Sequence, residues 1–308
     1  MKKSVIILFV ALHLLAGFRA KAQYNPQFSF LQTTLGINNP GYAGHQQGIC
    51  ATALNRNQWI GLDGAPKTTV FLINSPLQLA GIPGGIGLAL YDDKAGLSNN
   101  FNLKGQYSYH TFLGSAQLGI GIGIGLINLS YSGTWIAPEN AGGDASIPSI
   151  GENRLALDAQ IGLFYQNNNL QIGLSSDHIN EPKIKFVDKI PSFAARHYYL
   201  FTAYSIEVNS LNLNFNPQIL FVSDGTNLQI NANFVADYNN KFFGGIAYKL
   251  GDIAAIAGIN LLDGIELGFT YGIASNKISK FSSEVYFKYC FDFQRDRKPR
   301  EYKSVRFL

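Results

Sequence analysis

Residues 154–165 read Arg154-Leu155-Ala156-Leu157-Asp158-Ala159-Gln160-Ile161-Gly162-Leu163-Phe164-Tyr165. Leu155, Leu157, Ala159, Ile161, Leu163 and Tyr165 fall on one parity, and Arg154, Ala156, Asp158, Gln160 and Gly162 on the other. Successive side chains of an extended strand point to opposite faces, so this stretch predicts a strand with one apolar and one polar or small face. The same period returns downstream. Leu228, Ile230, Ala232, Phe234 and Ala236 oppose Gln229, Asn231, Asn233 and Asp237; Ile265, Leu267, Phe269, Tyr271 and Ile273 oppose Glu266, Gly268, Thr270 and Gly272. The last such run sets Phe281, Val285, Phe287, Tyr289, Phe291 and Phe293 against Ser282, Glu284, Lys288 and Asp292.

Fourteen segments of this kind can be marked: 48–58, 66–75, 83–92, 98–109, 115–130, 153–166, 168–178, 196–208, 210–223, 226–237, 240–250, 252–261, 264–275 and 280–293. A soluble β-sandwich also alternates, but its strands average about five or six residues. Most of these run to ten or more, the length a tilted strand needs to cross a bilayer. The two long gaps, 131–152 and 179–195, are both odd-numbered connections, which places them on the outer side of a barrel that starts in the periplasm. Asn167-Asn168, Asn209-Ser210 and Asn239-Asn240 make tight inner turns. The prediction is a closed antiparallel transmembrane β-barrel of about 14 strands, with both termini on the periplasmic side. Leu155, Ile161, Phe269, Tyr271, Phe287 and Phe291 should face lipid; Asp158, Gln160, Asn231, Glu266 and Glu284 should face the lumen.

Two features resist a regular barrel. Pro217 lies inside the ninth segment, where its missing donor implies a bulge or local break. Leu118 to Leu126 alternates aliphatics with Gly119, Gly121, Gly123 and Gly125. That row reads first as a small-residue strand relieving crowding, and second as space left for something inside.

The ends carry the charge. Lys2 and Lys3, an apolar run to Gly17 and Ala20-Lys21-Ala22 make a cleavable signal peptide of residues 1–22. Four of the 24 basic residues (Lys2, Lys3, Arg19 and Lys21) fall in it, leaving 20 basic against 20 acidic side chains. Six more basic residues sit in 294–308. The apparent basicity is therefore a signal plus a tail, which gives no nucleic-acid footprint. Charged residues make up 14%, against about 25% in soluble proteins. The division is a signal peptide (1–22), an N-terminal periplasmic or plug segment (23–47), an outer-membrane barrel (48–293) and a basic periplasmic tail (294–308).

Catalytic chemistry is absent from the pattern. There is no phosphate-binding glycine loop, no H-E-x-x-H and no C-x-x-C, and His45, His110, His178 and His197 lack metal-ligand spacing. Asp177-His178 beside Ser175 and Ser176 invites a hydrolase reading. Neighbours on one strand face opposite ways, though, so His178 reads as a solvated residue at a loop edge. No catalytic residue, metal or cofactor is assigned. Cys50 and Cys290 would sit at the same end of neighbouring strands in a closed barrel. A disulfide and two buried free thiols both fit, because the register of that pair is not readable.

Several stretches together resemble the PorP/SprF family, outer-membrane proteins of the type IX secretion and gliding-motility machinery of Bacteroidetes. Asn39-Pro40-Gly41-Tyr42-Ala43-Gly44 is similar to the family's early "NPAYAG". Arg56-Asn57-Gln58-Trp59-Ile60-Gly61-Leu62-Asp63-Gly64-Ala65-Pro66-Lys67-Thr68 is similar to its "R-x-Q-W-x-G-x-x-G-A-P-x-T" block. Asp92-Asp93-Lys94-Ala95-Gly96, Gly173-Leu174-Ser175-Ser176-Asp177-His178 and Ser283-Glu284-Val285 fit later motifs, with Gly41 and Ser283 as departures. The resemblance implies a non-enzymatic barrel that works with the type IX translocon and its periplasmic ring, assisting export or surface attachment of large adhesins. It assigns partner binding to Trp59 and Asp63, to Trp135 in the outer loop, and to Arg295, Arg297, Lys298, Arg300 and Lys303 in the tail. A solvated, disordered tail is the alternative for the last five. Outer-membrane lipid is the remaining partner. A passive porin or solute transporter is the competing function, and a lipid hydrolase the third.

Overall fold

A computed structural model describes residues 25–79, 81–132, 153–184, 192–249, 252–261, 264–274 and 281–291. The signal segment 1–22, Trp135 with most of its loop, and the tail residues Arg295, Arg297, Lys298, Arg300 and Lys303 lie outside the described residues. The strands are β1 (Ile49–Asn57), β2 (Lys67–Leu79), β3 (Ile82–Ala95), β4 (Ser98–Leu113), β5 (Ala116–Tyr131), β6 (Asn153–Gln166) and β7 (Leu170–Asp177). There follow β8 (Lys183–Ile184), β9 (Ser192–Phe193), β10 (His197–Tyr204), β11 (Ile206–Val208), β12 (Leu213–Ser223) and β13 (Leu228–Tyr238). The last are β14 (Phe242–Lys249), β15 (Asp252–Asn260), β16 (Ile265–Ala274) and β17 (Phe281–Phe291).

β1 to β7 pair in order, β7 pairs with β10, β10 with β12, and β12 to β17 follow until β17 pairs with β1. The chain is a closed antiparallel barrel of 14 strands. β11 continues β10 along β12, and β8–β9 is a separate hairpin. Closure satisfies the backbone of every strand, which hydrocarbon cannot do for an open edge.

The parity of the sequence is the parity of the wall. Leu155, Ile161, Phe269, Tyr271, Phe287 and Phe291 are exposed on the outside, while Asp158, Gln160, Asn231 and Glu284 are buried within and Glu266 is half-buried. The turns at the end holding residue 49 are tight for local reasons. Asn239 and Asn240 both take positive φ (55° and 52°), the conformation of a two-residue hairpin turn that Asn tolerates. The Asn167 carboxamide oxygen accepts from the backbone N–H groups of Asn169 and Leu170.

Three expectations change. β12 passes Pro217 without a bulge, keeping Pro217 opposite Phe234. The break falls on the other neighbour, where pairing stops between Ala203↔Gln218 and Ile206↔Phe215 and resumes in the same register. The N–H that proline lacks is thus matched by a gap between β10 and β11. Second, the inner face is not uniformly polar, since Tyr199, Phe201 and Val222 are buried in it. Third, β1 starts at the inner end as expected, but the segment before it does not. Asn25 meets Asp177 and His178 at the finish of β7, Gln27 O meets Lys249 at the finish of β14, and Ala43 meets His110 near the opposite end. The chain therefore descends the lumen from the far half before entering β1.

Candidate functional site: a lumen filled from within

The lumen is occupied by residues 25–47. Asn25 to Phe30 run without regular structure and largely buried, bending at Ser29, a single helical turn α1 (Leu35–Asn38) follows, and Pro40–Tyr42 closes a 3₁₀ turn. The turn follows from its sequence. Asn39 accepts the Gly41 N–H at 2.9 Å, Pro40 stands where no donor is needed, and Gly44 leaves at φ 78°. Phe28, Phe30 and Ile37 pack with Leu54, Val70, Tyr91 and Tyr286. Leu31, Leu35 and Tyr42 pack with Phe164, Tyr199, Phe201 and Val222. This explains the apolar inward residues, because their neighbour is this segment and not water.

The glycines make the floor for the turn. A Cβ on Gly121 would stand 2.2 Å from Pro40 C, one on Gly119 2.2 Å from Gly41 O, and one on Gly85 2.3 Å from Ala43 O. On Gly162 it would meet Asn39 Oδ1 at 2.2 Å. The space reading of the glycine row is thus the correct one at Gly119 and Gly121, while Gly123 and Gly125 face the Gln160 and Lys104 side chains. Around this floor Ser108 Oγ donates to Gly41 O (3.1 Å), His110 Nε2 lies 2.8 Å from Ala43 O, and Asn74 Oδ1 accepts from Gly44 N (2.6 Å).

Two charged groups hold the upper part. The Glu284 carboxylate accepts the Ser29 N–H and hydroxyl, and stands 3.4 Å from Arg56 Nε and 3.7 Å from Lys249 Nζ. Across the lumen Lys104 Nζ lies 2.5 Å from Asp177 Oδ1 and 3.2 Å from Asp158 Oδ2. His178 bridges Asp158 at 2.9 Å and the Asn25 carboxamide at 3.0 Å, and Asn25 donates to Tyr199. His178 is not a solvated loop-edge residue; it is fully buried, turned inward by a φ of 54° just past β7. Asp158, Asp177 and His178 offer ligand atoms close enough for a metal. The Lys104 ammonium already supplies the positive charge between the two carboxylates, so the geometry is that of an ion network.

At the mouth where β7 ends, two described residues of the β7–β10 connection lie inside the barrel. Ile184 and Ala194 pack on the inward Ile127 and Leu129 of β5. At the inner mouth a cleft of about 670 Å³ opens beside Lys241, Asn260, Glu266, Lys288 and Cys290. Cys50 and Cys290 face each other in register across the β1–β17 seam and are joined by a disulfide, with Cα atoms 4.0 Å apart.

Of the residues assigned to partners, Trp59 and Asp63 share the β1–β2 loop. Trp59 N donates to Ser282 Oγ, Ile60 N to Phe281 O, and Gly96 N to Gly64 O, which pins the loop to its neighbours. Asp63 is exposed and Trp59 is half-buried. β17 ends at the opposite mouth from this loop. The sequence reading missed Asn25, Lys104 and Asp177 as lumen groups. The available signal was rare charge at lumen parity within strands: Arg56, Lys104, Asp158 and Glu284.

A family model described as "Type IX secretion system membrane protein PorP/SprF" matches residues 20–289. No curated protein matches. Among solved structures, the outer membrane protein Omp33 of Acinetobacter baumannii is 8% identical with a TM-score of 0.46, covering 80% of this chain and 100% of its own. A deletion mutant of the monoaromatic hydrocarbon channel TodX is 11% identical with a TM-score of 0.44, covering 83% and 94%. A mutant porin of Rh. blastica is 8% identical with a TM-score of 0.35, covering 80% and 99%.

Proposed function

This chain belongs to the PorP/SprF family of type IX secretion system membrane proteins, and from that premise we propose that it assists export or surface attachment of specific large adhesins without catalysing a reaction. It is an outer-membrane component of the type IX machinery. The observation that carries the reading is the filled lumen. Residues 25–47 run through the barrel, and Ile184 with Ala194 pack inside it at the mouth where β7 ends, an arrangement unsuited to passive diffusion. That supports a machine component over a porin.

Cargo then engages the outer loops, and the periplasmic ring engages the inner mouth, where the basic residues Arg295, Arg297, Lys298, Arg300 and Lys303 follow β17. Truncation after Gln294 tests the ring contact. Barrel assembly should persist while co-purification with ring proteins and adhesin export are lost. Normal export by the truncated protein removes the tail from the mechanism. Ohmic conductance of purified full-length protein in a planar bilayer would restore the porin reading.

A further inference from the structure

Beside the packing of its side chains, the wall holds the resident segment by its main chain. Lys249 Nζ donates to Gln27 O, Asn233 Nδ2 to Ser29 O, Gln106 Nε2 to Gly36 O, Ser108 Oγ to Gly41 O, and Asn74 Nδ2 to Tyr42 O. Glu284 accepts Ser29 N, and Asn74 accepts Gly44 N. The glycine floor lies so close to the backbone of Pro40, Gly41 and Ala43 that a Cβ would stand 2.2–2.3 Å from it. Backbone amides are the same in every protein, so a surface that pairs with them selects a chain conformation more than a sequence. Strands closed on themselves need no such donors for their own ladder; these side chains serve the occupant.

We infer that the lumen is a binding channel for polypeptide main chain, taking an irregular segment that leads into a tight glycine-containing turn. Residues 25–47 occupy it in cis, and a segment of the secreted polypeptide takes their place when they withdraw. The identity of that incoming chain rests on the secretion reading; the channel itself does not. The resident is joined to the wall covalently only through Gly48, and Gln47 just before it is exposed, so a cut there frees the segment without altering its contacts.

The test uses the full-length protein with a protease site inserted after Gln47, folded first and then nicked. Fluorescent synthetic peptide of residues 25–47 is added, alongside two variants. One carries N-methyl groups at Ser29 and Gly44, removing the N–H donors that Glu284 and Asn74 accept. The other replaces Gln27, Gln32 and Gln46 with alanine. The channel predicts exchange of the nicked resident for the native peptide. The alanine peptide should bind within about tenfold of it, and the N-methyl peptide at least tenfold more weakly, which is about 1.4 kcal/mol. Permanent retention of the nicked segment makes it a fixed part of the core and overturns the channel. So does binding indifferent to N-methylation. Exchange in a protein whose loss leaves adhesin export intact keeps the channel and removes the secretion reading.

Discussion

Ser29 and Glu284, separated by 255 residues, meet inside the barrel, where both carboxylate oxygens of Glu284 lie 2.8–2.9 Å from the Ser29 N–H. Glu284 is also the counter-ion of Arg56 and Lys249, so one side chain ties the lumen segment to β1, β14 and β17. Removing one partner of a buried pair leaves uncompensated charge. Glu284→Gln should therefore destabilise the protein by about 3–5 kcal/mol and make residues 25–47 protease-sensitive. Arg56→Met in the same chain should recover part of the loss. Unchanged protease resistance and melting temperature in the single variant would remove Glu284 as an anchor.

Gly121 and Gly123 are neighbours on one face of β5, yet alanine should affect them differently. At Gly121 the new Cβ meets Pro40 C and Gly41 N at 2.2 and 2.3 Å, both backbone and unable to yield. At Gly123 it meets only the Gln160 side chain, at 2.5 Å, which can swing aside. Gly121→Ala should cost about 1–3 kcal/mol and unseat the 39–44 turn, and Gly123→Ala markedly less. Equal melting temperatures for the two would contradict the packing described.

The outer face was legible because its solvent is fixed: hydrocarbon demands an apolar residue at every second position of each strand. Leu155 to Tyr165 could therefore be read without a structure. The inner face has no fixed solvent. Tyr199 and Phe201 point inward against Leu31, Leu35 and Tyr42, a choice made by a segment over 150 residues away. Gly119 and Gly121 read first as a small-residue strand until Pro40 and Gly41 are seen resting on them. His178 was hidden by its backbone, since a positive φ reverses the direction that strand parity would assign. The family motifs around Asn39–Gly44 and Glu284 now have a physical reason, as the turn and the anchor of the lumen segment.

His45 gives the docking a pH dependence. It belongs to the lumen segment, with its ring 4.5 Å from that of His110 and 4.9 Å from Phe164. Burial first, then the neighbouring His110, pushes the imidazole down from 6.5 to about 3. A group that stays neutral when docked but protonates near 6.5 when released favours release in acid. The docked state should keep its full stability above pH 6.5 and lose it progressively as pH falls from 6.5 toward 3. Protease sensitivity of residues 25–47 across that range measures it, and His45→Asn should flatten the slope. A slope unchanged by the substitution assigns the titration elsewhere.

The Cys50–Cys290 bond joins the first and last strands at the mouth where the lumen segment enters the wall, 240 residues apart in sequence. Cys50 opposes Cys290 in the β1–β17 ladder, so the bond asks no movement of either strand and forms only where that seam is already paired. It therefore staples a closed barrel and does not create one. Cys50→Ala/Cys290→Ala should still assemble, with the folded, heat-modifiable mobility of a barrel on gels. Its resistance to unfolding should fall by about 2–4 kcal/mol, since the open chain regains the freedom that the cross-link removes. Reducing the native protein after folding should give the same loss. A double variant that never reaches the outer membrane would show instead that closure depends on the bond, and that pairing of β1 with β17 is too weak to hold by itself.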